Sequence, residues 1–166
     1  SDSHINAVLD ELHNKIRLMQ NIYQTLYTGD EVSTIHIHSF LQQLLYDIQS
    51  TYFNKQSIQI KTDIEDIEVT SKQSLPIGII VTELITNAIK YAFESREEGT
   101  ISISINKSDK DWLSIRVADN GTGLSDEIIE NESYGFGLML VDGYVRQFDG
   151  QMSIDNSHGT SIAVTM

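Results

Sequence analysis

From Pro76 to Phe93 the apolar residues Ile79, Ile80, Leu84, Ile85, Ala88, Ile89 and Ala92 recur at helical spacing, with so few polar neighbours that the helix they form must be buried. Pro76 suits the first turn of such a helix, where its missing N–H has no partner to lose. A helix of this kind cannot lie on a surface; other elements have to cover it. Its exceptions are therefore informative. Glu83, Asn87 and Lys90 or Tyr91 fall three or four residues apart, so a carboxylate, an amide and an ammonium share one face and point as a polar stripe into a pocket.

The remaining segments supply the cover. Val8, Leu9, Leu12, Ile16, Met19, Ile22, Tyr23 and Leu26 predict one long helix over residues 4–27, capped by Asp2 or Ser3 and ended by Gly29; its coiled-coil-like stripe needs a partner helix. After the extended piece Thr34 to Ile37, a second helix is expected from Ser39 to Phe53, its apolar face turned to a sheet. Alternation predicts strands at 57–62, 67–70, 101–105 and 112–117, the last two forming a hairpin. A helix from Leu138 to Phe148 ended by Gly150, and closing strands at 151–155 and 160–166, complete the chain. Residues 121–137 fit neither period and read as a mobile loop, longer than most connections and hence functional.

Composition narrows the partners. The 24 acidic against 11 basic residues give a net charge of −13, which repels nucleic-acid phosphates and anionic lipid. Neither nucleic acid nor a membrane surface is an expected partner of these residues. A polyanionic ligand would have to be held locally by a divalent cation, backbone N–H groups and a few placed cations. The absence of cysteine excludes disulfides and thiolate metal sites, no apolar run long enough to span a bilayer is expected, and the cytosol is the expected compartment. An anchor elsewhere in a parent protein is compatible with this reading.

Three segments carry the chemistry in order: Glu83 to Tyr91 on the buried helix, Asp119-Asn120-Gly121-Thr122-Gly123-Leu124 after a strand, and Gly135-Phe136-Gly137-Leu138 before a helix. The Asn87 carbonyl is a hard oxygen suited to Mg²⁺, and Lys90 could offset phosphate charge. Asp119 can accept a hydrogen bond from an exocyclic amine, while Gly121 and Gly123 let the backbone approach a flat ring. Gly135 and Gly137 would leave N–H groups at a helix N-terminus, where the dipole favours phosphate. Each piece alone is more often a turn, a flexible loop or a satisfied buried amide; together, in these positions, they point to a nucleotide site.

These segments resemble the N, G1 and G2 boxes of the GHKL ATPase superfamily, and Ser157-His158-Gly159-Thr160 resembles its last glycine box, over roughly residues 38–166. The resemblance implies an α+β fold, a two-layer sandwich in which helices cover one face of a mixed sheet, with an N-terminal helical arm. It also implies ATP and Mg²⁺ as cofactors: Asn87 as the Mg²⁺ ligand, Glu83 as its polar or basic helper, Lys90 as a phosphate contact, Asp119 and Thr160 on the adenine side. Gly121 and Gly123 would open the ATP lid and Gly135 and Gly137 close it, with Tyr91, Leu124 and Leu138 among the binding residues.

Within the superfamily, Thr82 to Phe93 and Gly137 to Gly150 resemble bacterial sensor histidine kinases near the HWE subfamily. That implies transfer of the ATP γ-phosphate to a histidine and relay to an aspartate of a response-regulator receiver domain, in a protein that dimerises at full length. Glu11-Leu12-His13 superficially resembles a phosphoacceptor segment, but Asn14 to Tyr27 better resembles the second helix of the dimerisation hairpin. Residues 1–30 are therefore expected to be the end of that hairpin and 31–166 the catalytic domain, with His13 an exposed helix histidine and the acceptor upstream. His4, His36, His38 and His158 read as surface or turn residues. The alternatives are a serine kinase of anti-sigma type, against which the long first helix argues, and a non-catalytic ATP-dependent regulatory module.

Overall fold

The computed structural model describes residues 2–26, 34–52, 57–93, 98–108, 112–125 and 135–166. The first helix, α1 (Asp2–Leu26), is followed by β1 (Thr34–His36) and α2 (Ile37–Tyr52), then β2 (Ser57–Ile64) and β3 (Glu68–Thr70). The central helix α3 (Ser71–Asn87) continues into a π turn over Ala88–Ala92. After it come β4 (Glu98–Lys107), β5 (Leu113–Asp119), α4 (Phe136–Gln147), β6 (Gln151–Asp155) and β7 (Ser161–Thr165). Gly29 and the centre of the loop at 126–134 lie outside the described residues, so the expected end of α1 and the expected lid are not in view.

Five strands form one mixed sheet in the order β2-β4-β5-β7-β6, with β2 and β4 parallel and the other pairs antiparallel. Alternation sends Ile103, Val117, Ile162 and Ile154 to one face in a single cross-strand row, and Ile105, Ile115, Val164 and Met152 in the next. These rows pack under α2, α3 and α4 as one core, whereas Ser102 and Arg116 face solvent. The sandwich of helices on one face of a mixed sheet matches the α+β expectation. Asp119 belongs to the inward-facing set, because it is registered with the buried Ile101 and lies two residues beyond Val117.

The expected start of α3 is corrected by five residues. Gln73 accepts hydrogen bonds from the Thr70 N–H (3.1 Å) and hydroxyl (3.0 Å), which opens the helix at Ser71 and leaves Pro76 inside it. By length and composition the span Ser71–Ala92 would suffice to cross a membrane, contrary to the expected absence of such a run, but 78% of its most apolar window is buried within the domain. Its cover includes α1 itself: Leu18, Ile22 and Leu26 are buried against α2 and α3, and Gly78 makes the close approach possible, since a Cβ there would lie 2.9 Å from the Phe40 ring and 3.4 Å from Ile22. The N-terminal half of α1 is different. Ile5, Leu9, Leu12 and Ile16 are exposed, while the side chains of Asp2, Ser3 and His4 lie outside the description.

The end of α4 is also corrected. The helix stops at Gln147, and Asp149 rather than Gly150 takes the left-handed conformation, at φ 54°. Aspartate tolerates that region better than most side chains. Gly150 is needed for another reason, because a Cβ there would collide with the Thr165 carbonyl.

Candidate functional site

A cavity of about 460 Å³ opens between α3, the start of α4 and the ends of β5 and β7. That volume falls in the range of small-molecule sites, about 300–1,000 Å³. Asn87 and Tyr91 line it from α3 and its π turn, Asp119, Gly123 and Leu124 from the segment after β5, Gly135, Gly137 and Leu138 from α4, and Thr160 from the turn before β7. The structure thus brings together most of the residues singled out from the sequence.

Asp119 is held from two sides. Its Oδ1 accepts the N–H of Gly121 at 2.9 Å and of Thr160 at 3.2 Å, and its own N–H donates to the Thr160 carbonyl at 2.8 Å. Oδ2 makes no such bond among the described residues and is the atom that can serve a ligand. Gly159, at φ +84°, is the residue that makes the arrangement possible, since a Cβ there would overlap the Asp119 carbonyl. The Gly121 turn is fixed to the end of the α3 π turn, because the Thr122 N–H donates to the Ala92 carbonyl at 3.0 Å.

At α4 no described side chain caps the first turn: Gly135 stands at the N-cap with no capping bond among the described residues, and no acidic residue follows in the first turn. Its leading N–H groups and the positive end of the helix dipole are therefore available to an anion. Gly137 is close to the polar stripe of α3, for a Cβ there would overlap Glu83 Oε2 and lie 3.6 Å from Asn87 Nδ2. Glu83 is 1% exposed and its Oε2 accepts a hydrogen bond from Lys15 Nζ at 2.8 Å.

Three expected residues sit differently from the rest: Gly121 is not in the lining but behind it, its N–H bonded to the Asp119 carboxylate. Lys90 lies in the π turn and is not among the cavity-lining residues, whereas Lys15, arriving from α1, is. Glu83 stands behind the lining, between Lys15 and Gly137. Helical spacing alone put Lys90 beside Asn87, but the lining positions Leu84, Asn87, Ala88 and Tyr91 leave it round the helix. Asn156 was missed: its Oδ1 accepts the Leu124 N–H and its Nδ2 donates to the Leu124 carbonyl, both at 2.7 Å. No local pattern announces a contact spanning 32 residues.

His13 is exposed on α1, as are His36 and His158 on the surface. Among the described residues no group of three or more His, Asp or Glu side chains could hold a metal ion.

Known proteins resemble this chain in sequence and in fold. Residues 72–166 match the family described as histidine kinase-, DNA gyrase B- and HSP90-like ATPase, and residues 1–52 match a family described as histidine kinase. The adaptive-response sensory kinase SasA of Gloeothece citriformis is 30% identical over 160 residues, covering 85% of this chain and 40% of that protein. Blue-light-activated histidine kinase 2 of Erythrobacter litoralis is 20% identical over 166 residues, covering 98% and 47%. The chain thus spans less than half the length of these relatives. Among solved structures, the histidine kinase domain of the Erythrobacter litoralis EL346 blue-light activated kinase superposes with a TM-score of 0.81 at 19% identity, over 93% of this chain and 73% of that one. The Acinetobacter baumannii histidine kinase AdeS gives 0.67 at 16%, over 99% and 82%.

Proposed function

The chain belongs to the histidine kinase-, DNA gyrase B- and HSP90-like ATPase family, and from that premise we propose that it is the ATP-binding catalytic region of a sensor histidine kinase, transferring the ATP γ-phosphoryl group to a histidine for relay to a response-regulator aspartate. The observation that carries this reading is the shared cavity: a buried carboxylate with one oxygen left for an amine, facing the same space as an amide and an uncapped helix N-terminus.

Asp119 Oδ2 accepts the adenine amine, with Thr160 beside it, while Gly123 and Leu124 border the ring. The phosphates lie on the first turn of α4, where Gly135 and Gly137 leave backbone donors exposed to an anion. Asn87 would offer its amide oxygen to Mg²⁺, an ion that takes few protein ligands and would neutralise phosphate charge. Bound ATP with Mg²⁺ supplies the transferable phosphoryl group; the protein's part is positioning and charge neutralisation. Glu83 stands next to Asn87 as the polar helper.

Residues 1–30 serve as the end of a dimerisation hairpin and 31–166 as the catalytic domain. The match of residues 1–52, which runs through α1 and α2, to a histidine kinase family and the exposed row Ile5, Leu9, Leu12 and Ile16 favour a histidine kinase over a serine kinase of the superfamily. His13, exposed on α1, is read as a surface helix histidine and the acceptor as a histidine elsewhere in the kinase. The cytoplasm is the compartment such a relay requires.

Calorimetric titration of ATP with Mg²⁺ into this chain and into Asp119→Ala tests the reading. Binding that is lost in the variant is the expected result; absence of binding by the unsubstituted chain contradicts it.

A further inference from the structure

Lys15 is the one lysine or arginine among the described residues that line the cavity, in a chain of net charge −13. It comes from α1, 68 residues before its partner Glu83. It also sits where α1 leaves the body: Leu12 and Ile16 are exposed, while Leu18 and Ile22 are buried. The Glu83 carboxylate lies against Gly137 at the second position of α4, so ammonium, carboxylate and the uncapped helix turn meet at one place. A polyphosphate bound on that turn brings negative charge to a buried carboxylate whose observed counter-ion is Lys15. An ammonium has three N–H donors, and the Glu83 bond uses one of them.

Building on the ATP reading above, we propose that Lys15 is a phosphate-contacting residue delivered by α1: it pairs with Glu83 in the free protein and donates to a phosphate oxygen when ATP binds. Two consequences follow from the geometry. The cation that matches the nucleotide is not part of the ATPase fold proper but of the helix leading into it. Because Lys15 serves the ligand only while α1 is docked, ATP binding and α1 docking must strengthen each other to the same degree. A change that pulls α1 off the body would then weaken ATP binding without touching the cavity.

The test compares ATP with adenosine, both with Mg²⁺, on the unsubstituted chain, on Lys15→Gln and on Lys15→Arg. Expected is a loss of about tenfold in ATP affinity for K15Q, the scale of one charge-assisted hydrogen bond. Adenosine affinity should be unchanged, and K15R should recover most of the ATP affinity. An equal loss for both ligands overturns the proposal and makes Lys15 a support for Glu83 alone; so does no loss at all. Failure of the unsubstituted chain to bind either ligand removes the nucleotide reading itself, and this inference with it. Hydrogen exchange on the unsubstituted chain gives a readout that needs no variant: ATP should slow exchange of the α1 amides around Lys15 and adenosine should not. Identical exchange with both ligands overturns the coupling.

Discussion

The carboxamide of Asn156 pairs with the main chain of Leu124 in both directions, accepting its N–H and donating to its carbonyl at 2.7 Å each. This clamp ties the turn between β6 and β7 to the segment that leaves the cavity after Gly123. The fit is close, since a Cβ on Gly123 would lie 2.6 Å from Asn156 Oδ1. Asn156→Ala removes both bonds and should cost about 1–3 kcal/mol in denaturant unfolding, at about 0.5–1.5 kcal/mol each. Hydrogen exchange at the Leu124 amide should rise at the same time. Unchanged exchange there would show that other contacts hold the segment.

Gly159→Ala is expected to be more damaging. The position is left-handed at φ +84°, a conformation that costs a side chain about 1–2 kcal/mol, and its Cβ would overlap the Asp119 carbonyl. Displacing Asp119 also disturbs the ligand side of the carboxylate. Thermal melting should fall, and ATP affinity should fall with it even at temperatures where the variant is folded. A folded variant with full affinity would separate Gly159 from the site.

Two substitutions on α1 test its docking. Ile22 is 2% exposed against α3, so Ile22→Ala should destabilise the chain by about 2–5 kcal/mol. Leu9 is 57% exposed, so Leu9→Gln should change monomer stability by less than about 0.5 kcal/mol. Equal effects in chemical denaturation would mean that α1 does not pack on the body as described.

The Asp155 carboxylate accepts the Ser157 N–H at 3.0 Å, and hydrogen bonds from that residue's backbone and side chain hold its pKa below the ordinary value of 3.8, with smaller help from the charges of Arg116 and His158. A depressed carboxylate stabilises the fold above its unfolded pKa and loses that contribution as pH falls through the folded value. Stability should therefore drop in acid below about pH 4 in the unsubstituted chain, and Asp155→Asn should flatten that part of the profile. Superimposable acid profiles would contradict this assignment.

Much of the fold was legible because it rests on local periodicity. The alternation of Ile101, Ile103 and Ile105 with serine, and the helical spacing of Leu41, Leu44 and Ile48, survive into the structure. The start of α3 is less legible, because Pro76 is a stronger sequence signal than the Thr70–Gln73 cap, although the cap is what opens the helix. The order of the sheet, with β2 beside β4, depends on packing over α3 and not on any local pattern.

The candidate site divides in the same way. Asp119, Gly121, Gly135 and Gly137 announce themselves through glycine-rich turns next to a strand or helix end. Lys15 and Asn156 reach the site from 68 residues before Glu83 and 32 residues after Leu124, and their identities carry no turn or box chemistry of their own. Only the docking of α1 against α3, through Ile22 and Gly78, shows why a lysine in a long amphipathic helix belongs to the cavity.

If Asp119 Oδ2 receives an exocyclic amine, the unsubstituted chain should discriminate between purine bases. ATP and inosine triphosphate, which carries a carbonyl in place of the amine, should be titrated side by side in the presence of Mg²⁺. ATP should bind at least about tenfold more tightly, because the inosine carbonyl would face a carboxylate with no proton between them. Equal affinity for the two nucleotides would contradict it.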